Sequence, residues 1–219
     1  MIGGYPDHQT YRELYLRYFS GRDVGELLDL LMPLAGARFL DLCCGEGQMT
    51  LVAIARGVQS AVCVDAEPAM IAPVLQNGGQ IRVVTDSVQN ALRDFNSSGL
   101  QFDRIACRQA INYWLNQETA GLVAAVLPRG GVFAFNTFNQ KPPEKPRVLE
   151  YELEEHLFVE VSWLVGDTVH HLQVRDGLLP HYTSFQWLAS QQLHKLLEPH
   201  FAVREQKQGK TSLYQCEKK

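Results

Sequence analysis

The stretch Phe39-Leu40-Asp41-Leu42-Cys43-Cys44-Gly45-Glu46-Gly47-Gln48 sets two carboxylates, Asp41 and Glu46, around a turn with two glycines at the end of an apolar run. Residues 38–43 read as a buried strand. Gly45 and Gly47 read as a tight turn whose backbone can approach a ligand closely, and Gln48 as the start of a helix. A pyrophosphate would call for three glycines, G-x-G-x-x-G, with the phosphates on the helix N-terminus, and that pattern is absent. Acids at this turn repel phosphate and attract a cation. At roughly 4 Å and an effective dielectric of about 20, one charge pair amounts to about 4 kcal/mol before desolvation. The chemistry that fits is recognition of a small molecule carrying a sulfonium or an ammonium.

Two more acids stand at strand ends. Ala61-Val62-Cys63-Val64-Asp65 closes on Asp65, a position that holds a ribose in doubly wound folds because one carboxylate can accept from both hydroxyls of a diol. A helix cap is the structural alternative there. Ile81-Arg82-Val83-Val84-Thr85-Asp86-Ser87 closes in the same way, and Asp86 reads either as a ligand contact or as the N-cap of a helix through Val88 and Leu92. Asp41, Asp65 and Asp86 then converge on one rim of a sheet, where open α/β sheets bind ligands.

The elements that would carry these acids follow from periodicity. Residues 8–31 are helically spaced, with Tyr11, Leu14, Tyr15 and Tyr18 on one stripe, so residues 1–35 form an N-terminal helical cap. Apolar runs at 39–43, 61–65, 81–85, 102–107 and 132–136 alternate with helical segments, which argues for a parallel sheet covered on both faces. Gln140-Lys141-Pro142-Pro143-Glu144-Lys145-Pro146-Arg147 is an exposed connection, since its prolines exclude a regular helix or a central strand. Beyond it, Gly166-Asp167 marks a hairpin in which Val165 pairs with Thr168, Trp163 with His170 and Val161 with Leu172. That register puts Val159, Val161, Trp163, His170, Leu172 and Val174 on one face, which should cover something apolar, and Glu160, Ser162 and His171 on the other. Thr183 to Gln186 reads as a capping box opening a helix over Phe185, Leu188, Leu193, Leu196 and Leu197. Residues 201–206 and 212–217 supply two final strands.

Asp41, Cys43, Gly45 and Gly47 resemble the first motif, D-x-G-x-G-x-G, of the class I S-adenosylmethionine-dependent methyltransferases, with Cys43 in place of the first glycine. The cysteine side chain disfavours a positive φ there. The resemblance extends motif by motif over about residues 39–136, and is nearest to the small-molecule branch that includes glycine and sarcosine N-methyltransferase-like proteins. It implies an α/β, Rossmann-like, doubly wound seven-stranded sheet with an antiparallel last strand and a β-hairpin insertion after the fifth strand. It further implies a single methyltransferase domain over residues 1–219, with a β-rich insertion at 140–182 roofing the acceptor pocket. The cofactor would be S-adenosylmethionine, the product S-adenosylhomocysteine, and the reaction in-line transfer of a methyl group to a nitrogen or oxygen of a small molecule. By the same resemblance Asp41 anchors the methionine ammonium through the loop, Cys43, Gly45 and Gly47 line it, and Asp65 takes the ribose. Ala66 and Met70 border the adenosine, Asp86 and Ser87 take the adenine, and Arg108 joins the cofactor set. Tyr11 closes over the methionine or packs in the core. Asn112 and Tyr113 lie between donor and acceptor, with Tyr113 and His170 as catalytic candidates and Trp163 as an acceptor contact. Tyr113 also reads as helix-start packing, and His170 as a satisfied core histidine.

Composition narrows the rest. The chain has 219 residues, 46% of them hydrophobic, enough for one domain with a full-sized core. A formal net charge of -4 offers no basic field for a nucleic-acid partner. The first residues lack a basic segment followed by an apolar one, and no apolar run reaches membrane-spanning length, so the expectation is a soluble, cytoplasmic protein without a membrane partner. Cys43, Cys44, Cys63, Cys107 and Cys216 contain no C-x-x-C and read as buried thiols, and no metal-ligand spacing stands out. The competing functional readings are a non-catalytic S-adenosylmethionine-binding protein and a nicotinamide-dependent oxidoreductase, the latter disfavoured by the missing third glycine and by Glu46.

Overall fold

The structure, a computed structural model, describes residues 22–72, 74, 81–153, 155–178 and 180–219. Tyr11, and with it most of the expected N-terminal cap, lies outside the described residues. By packing, the described residues divide into two compact units, 22–139 with 189–219, and 140–188.

In the larger unit α1 (Arg22–Leu30) is followed by alternating strands and helices: β1 (Arg38–Leu42), α2 (Gln48–Ala55), β2 (Ser60–Asp65), α3 (Pro68–Ile71), β3 (Ile81–Thr85), α4 (Val88–Ser97), β4 (Arg104–Cys107), α5 (Gln117–Ala125) and β5 (Val132–Phe138). After the insertion come α6 (Ser190–Leu197), β10 (Phe201–Gln208) and β11 (Thr211–Lys218). Seven strands form one sheet in the order β10-β11-β5-β4-β1-β2-β3. The first five strands run parallel to one another, and β11 runs antiparallel to both β5 and β10. This is the expected doubly wound sheet with its antiparallel last strand. The apolar runs are continuous because central strands are buried on both faces: Phe39, Leu40, Asp41 and Leu42 of β1 are all buried. One face packs Phe39, Ala61, Ala106, Ala134 and Leu213 against α1 and α2, where Leu27, Leu28 and Leu31 are fully enclosed. Each such leucine contributes roughly 1.5–3 kcal/mol by leaving water.

The smaller unit is a second, antiparallel sheet in the order β6 (Arg147–Leu153), β7 (His156–Val165), β8 (Thr168–Arg175), β9 (His181–Gln186). Its central hairpin has the anticipated register, with Val165 opposite Thr168, Trp163 opposite His170 and Val161 opposite Leu172. Two expectations need correction. The face bearing Val159, Val161, Trp163 and His170 is only half-buried, whereas the opposite face is the deeply covered one, with Phe158, Glu160, Leu164, Val169, Gln173 and His181 all buried. Phe158, Leu164 and Val169 supply the apolar area on that side, interleaved with the polar residues that made it look solvent-facing. The segment Thr183 to Gln186 belongs to β9, not to a helix, because it pairs along β8 from Thr168–Gln186 to Gln173–His181. The helix starts later, at Ser190, where Gln192 Oε1 accepts the Ala189 N–H at 2.8 Å.

Candidate active site

The three strand-end acids meet at the C-terminal rim of the parallel strands, each in a different environment. Asp41 is 1% exposed. Its Oδ2 accepts from Thr50 Oγ1 of α2 at 2.7 Å, while its Oδ1 is buried without a hydrogen-bond partner. Burial pushes its carboxyl up to about 7, against the opposing pull of the Thr50 hydroxyl and of Arg108. Gln48 Oε1 at the start of α2 is a second buried acceptor with no donor. An orphaned carboxylate oxygen and an orphaned amide oxygen on one turn form a cradle for donors and positive charge.

The turn itself is left-handed at three positions: Cys43 at φ 56°, Gly45 at φ 53° and Gly47 at φ 73°. The cysteine therefore adopts the positive φ that its side chain disfavours, at a cost of roughly 1–2 kcal/mol. Its thiol hydrogen-bonds Cys107 at the end of β4, and this bond together with burial and the nearby acids pushes the thiol pKa up. Gly47 has a steric reason to lack a side chain, since a Cβ there would come within 2.8 Å of Val74. Asp65 closes the turn: its Oδ2 accepts from Gly45 N–H at 2.9 Å and its Oδ1 from Glu67 N–H at 3.0 Å. Burial raises its pKa, and these backbone bonds oppose the rise. The carboxylate thus shapes the glycine turn, with Ala66 supplying a further backbone bond. Met70 is buried beside this turn, its Cε 3.6 Å from the point where a Cβ on Gly45 would lie.

Asp86 is exposed and accepts from Ser87 N–H at 2.6 Å and Asn90 Nδ2 at 3.0 Å. Ser87 is the N-cap of α4, its Oγ accepting from Asn90 N–H at 3.2 Å. The pair therefore caps a helix at the same rim. After β4, residues 108–113 turn back over the strand ends through the short 3₁₀ turn Ile111–Tyr113. Asn112 is buried and accepts from Thr137 Oγ1 at 2.6 Å, and Tyr113 is 53% exposed. In the smaller unit His170 stacks on Trp163 with ring centroids 5.1 Å apart, and its Nδ1 shares a hydrogen bond with Tyr182 Oη.

Sequence reasoning missed Thr50, Gln48, Asn136 and Thr137. The signal for the last two was legible: an Asn-Thr pair interrupts the apolar strand Val132-Phe133-Ala134-Phe135, and both residues are buried. Among the described residues no group of three or more His, Cys, Asp or Glu side chains could hold a metal ion, and no helix is long and apolar enough to cross a membrane.

Residues 39–131 match the family model of a methyltransferase domain. In three dimensions the chain is similar to an S-adenosylmethionine-dependent methyltransferase from Clostridium acetobutylicum, with a TM-score of 0.75 and 16% identity over 96% of this chain and 98% of that one. It is similar as well to CalS10, an amino pentose methyltransferase from Micromonospora echinaspora solved with S-adenosylmethionine bound, with a TM-score of 0.75 and 15% identity over 100% of both chains. A third likeness is to KedS8, a sugar N-methyltransferase from Streptoalloteichus, with a TM-score of 0.69 and 18% identity over 100% of this chain and 96% of that one. No curated protein matches the chain significantly in sequence. Residues 39–131 thus match a methyltransferase domain, and the chain has the fold of S-adenosylmethionine-dependent methyltransferases. The cofactor bound in CalS10 is S-adenosylmethionine. The rim fits that cofactor, because the orphaned Asp41 and Gln48 oxygens ask for a donor-bearing cation and the turn provides no phosphate cradle.

Proposed function

We propose that the chain methylates an amine nitrogen of a small polar acceptor, an amino sugar or a close analogue. The observation that carries the cofactor half of this reading is the buried Asp41 Oδ1 with no partner beside the left-handed turn. The acceptor half draws on the likeness to amino pentose and sugar N-methyltransferases along the whole chain, in preference to the glycine and sarcosine branch. S-adenosylmethionine supplies an electrophilic methyl on a sulfonium. The nitrogen lone pair forms the N–C bond as the S–C bond breaks, S-adenosylhomocysteine leaves, and the proton of the new ammonium passes to water.

An amine that arrives neutral needs placement more than a strong base, and placement in line with the S–CH3 bond can supply several kcal/mol. The residues proposed for this are those of the 108–113 turn. Arg108 and Asp41 hold the methionine end, and Asn112 with Tyr113 orients the acceptor. Asp65 takes the ribose, Ala66 and Met70 flank the adenosine, and Asp86 and Ser87 take the adenine. The test pairs amino pentoses and amino hexoses with their hydroxyl counterparts, using S-adenosylmethionine and mass detection of the added methyl. Methylation confined to the amines is expected. Methylation of the hydroxyl series instead would overturn the choice of nitrogen.

A further inference from the structure

A row of register partners leads across the sheet from Asp41 to β5. Asp41 of β1 stands opposite Ala106 of β4, and Ala106 opposite Ala134 of β5. Register partners share a face, so Asn136, two residues further on in β5, emerges on the Asp41 side of the sheet, one row nearer the rim, and Arg108 follows directly on the end of β4. Arg108 acts electrostatically on Asp41 and favours its ionised form. Directly after Arg108 the chain turns at Gln109, a non-glycine residue at φ 56°. That conformation costs roughly 1–2 kcal/mol and persists only where the surroundings hold it. Here the hold is visible: Asn136, 2% exposed, accepts the Gln109 N–H on its Oδ1 at 2.7 Å.

We infer that Asn136 is a positioning residue for cofactor binding: by clamping the left-handed Gln109 it fixes where the chain after β4 carries Arg108, the cation that acts on Asp41. The inference rests on the cofactor reading of Asp41 given above. Other groups also face that carboxylate. Thr50 donates to it from α2, and Asp65 at the end of β2 opposes its ionisation. The Cys43 and Cys44 thiols also sense its charge, and both are pushed up by neighbouring thiols and burial, so they stay neutral. Arg108 is the cation in this set, and its hold on Asp41 depends on where the turn places it. Thr137 makes a separate tie to the same turn, through Asn112 Oδ1, and provides the internal comparison.

The test reads Asp41 in two ways. Carboxyl-carbon NMR follows its titration in the free protein, and calorimetry follows S-adenosylmethionine affinity from acid to alkaline pH. In wild type both should show a midpoint near the Asp41 value of about 7. Asn136→Leu removes the acceptor at nearly constant size and should move both midpoints upward by roughly half a unit or more, with affinity recovering at the highest pH. Arg108→Met removes the charge itself and should shift the titration in the same direction, while Thr137→Val should leave it in place. A uniform loss of affinity in Asn136→Leu with an unmoved titration would reduce Asn136 to a structural residue and overturn the inference. So would a shift in Arg108→Met with none in Asn136→Leu. If Asn136→Leu fails to fold, Asn136→Ser, which keeps an acceptor oxygen on a shorter arm, should give an intermediate shift, and no shift there counts against the inference. Absence of S-adenosylmethionine binding in wild type would instead remove the cofactor reading, and the NMR titration would still decide whether Asn136 governs Asp41.

Discussion

Asp41 is a buried carboxyl that costs the fold stability. With its carboxyl pushed up to about 7, from 3.8 when solvated, it keeps a proton in the native state over a range where the unfolded chain has already lost one. Stability therefore falls as pH rises from about 4 to about 7 and is level above that. Asp41→Asn removes the titration, so between pH 4.5 and pH 8 its stability relative to wild type should improve by about 2 kcal/mol or more. S-adenosylmethionine affinity should drop at least roughly tenfold, as expected when a charged partner is lost. Urea denaturation at the two pH values and calorimetry check both halves, and a pH-independent stability difference would show that Asp41 is ionised throughout. Cys43 makes a second case. Its left-handed backbone tolerates a small residue held by the Cys107 thiol. Cys43→Gly should stay within about 1 kcal/mol of wild type with affinity retained, because the relieved strain offsets the added freedom of the unfolded chain. Cys43→Val puts a β-branched side chain at positive φ and should cost roughly 2 kcal/mol or more, read as a fall in the urea midpoint.

At the scale of elements, the last helix and the last two strands are tied by one carboxylate. Glu205 of β10 accepts from Ser190 Oγ at the start of α6 at 2.6 Å and from Ser212 Oγ of β11 at 2.8 Å. Burial pushes the Glu205 carboxyl up, but the hydroxyl bonds from Ser190, Ser212 and Tyr214 outweigh it and hold the group below its usual range. A depressed carboxyl contributes stability that is present above the unfolded value of 4.5 and lost as pH falls through the folded one. Glu205→Ala should therefore cost about 2 kcal/mol at pH 7, and the gap to wild type should narrow below about pH 4. Urea titrations at pH 7 and pH 3.5 test this, and a gap of constant size would assign the loss to packing. The same region shows why local signals can mislead. Thr183 and Gln186 have capping-box spacing, but extended pairing to β8 engages that backbone first, and tertiary partners override propensity. The Gly166-Asp167 hairpin was readable because turn chemistry and alternation agree there. Which of its faces would be covered was not, since polar Glu160 and Gln173 sit among the buried residues of that sheet.

For the molecule as a whole, legibility follows how local the cause is. The parallel strands announced themselves as short apolar runs because both their faces are covered, and the acids at their ends stood out because a charge at the end of such a run needs a reason. Asn136 and Thr137 were passed over because their partners, Gln109 and Asn112, are reached only through the fold, as are Thr50 and Gln48 around Asp41. The rim is thus built by the loops after β1, β2, β3 and β4, and under the proposed function a ligand that spans them should act on all of them together. At a hundredfold excess over its dissociation constant, S-adenosylmethionine should stabilise the native state by about 2.7 kcal/mol. Hydrogen exchange should place the largest gain in protection at the turn after β1, the Asp65–Glu67 bend, the start of α4 and the 108–113 turn. NADH at the same concentration should leave those segments unchanged, since the turn carries acids where a pyrophosphate would need donors. Protection by S-adenosylmethionine at the β1 and β2 ends but not at the start of α4 would confine Asp86 and Ser87 to capping that helix and remove them from the adenine site.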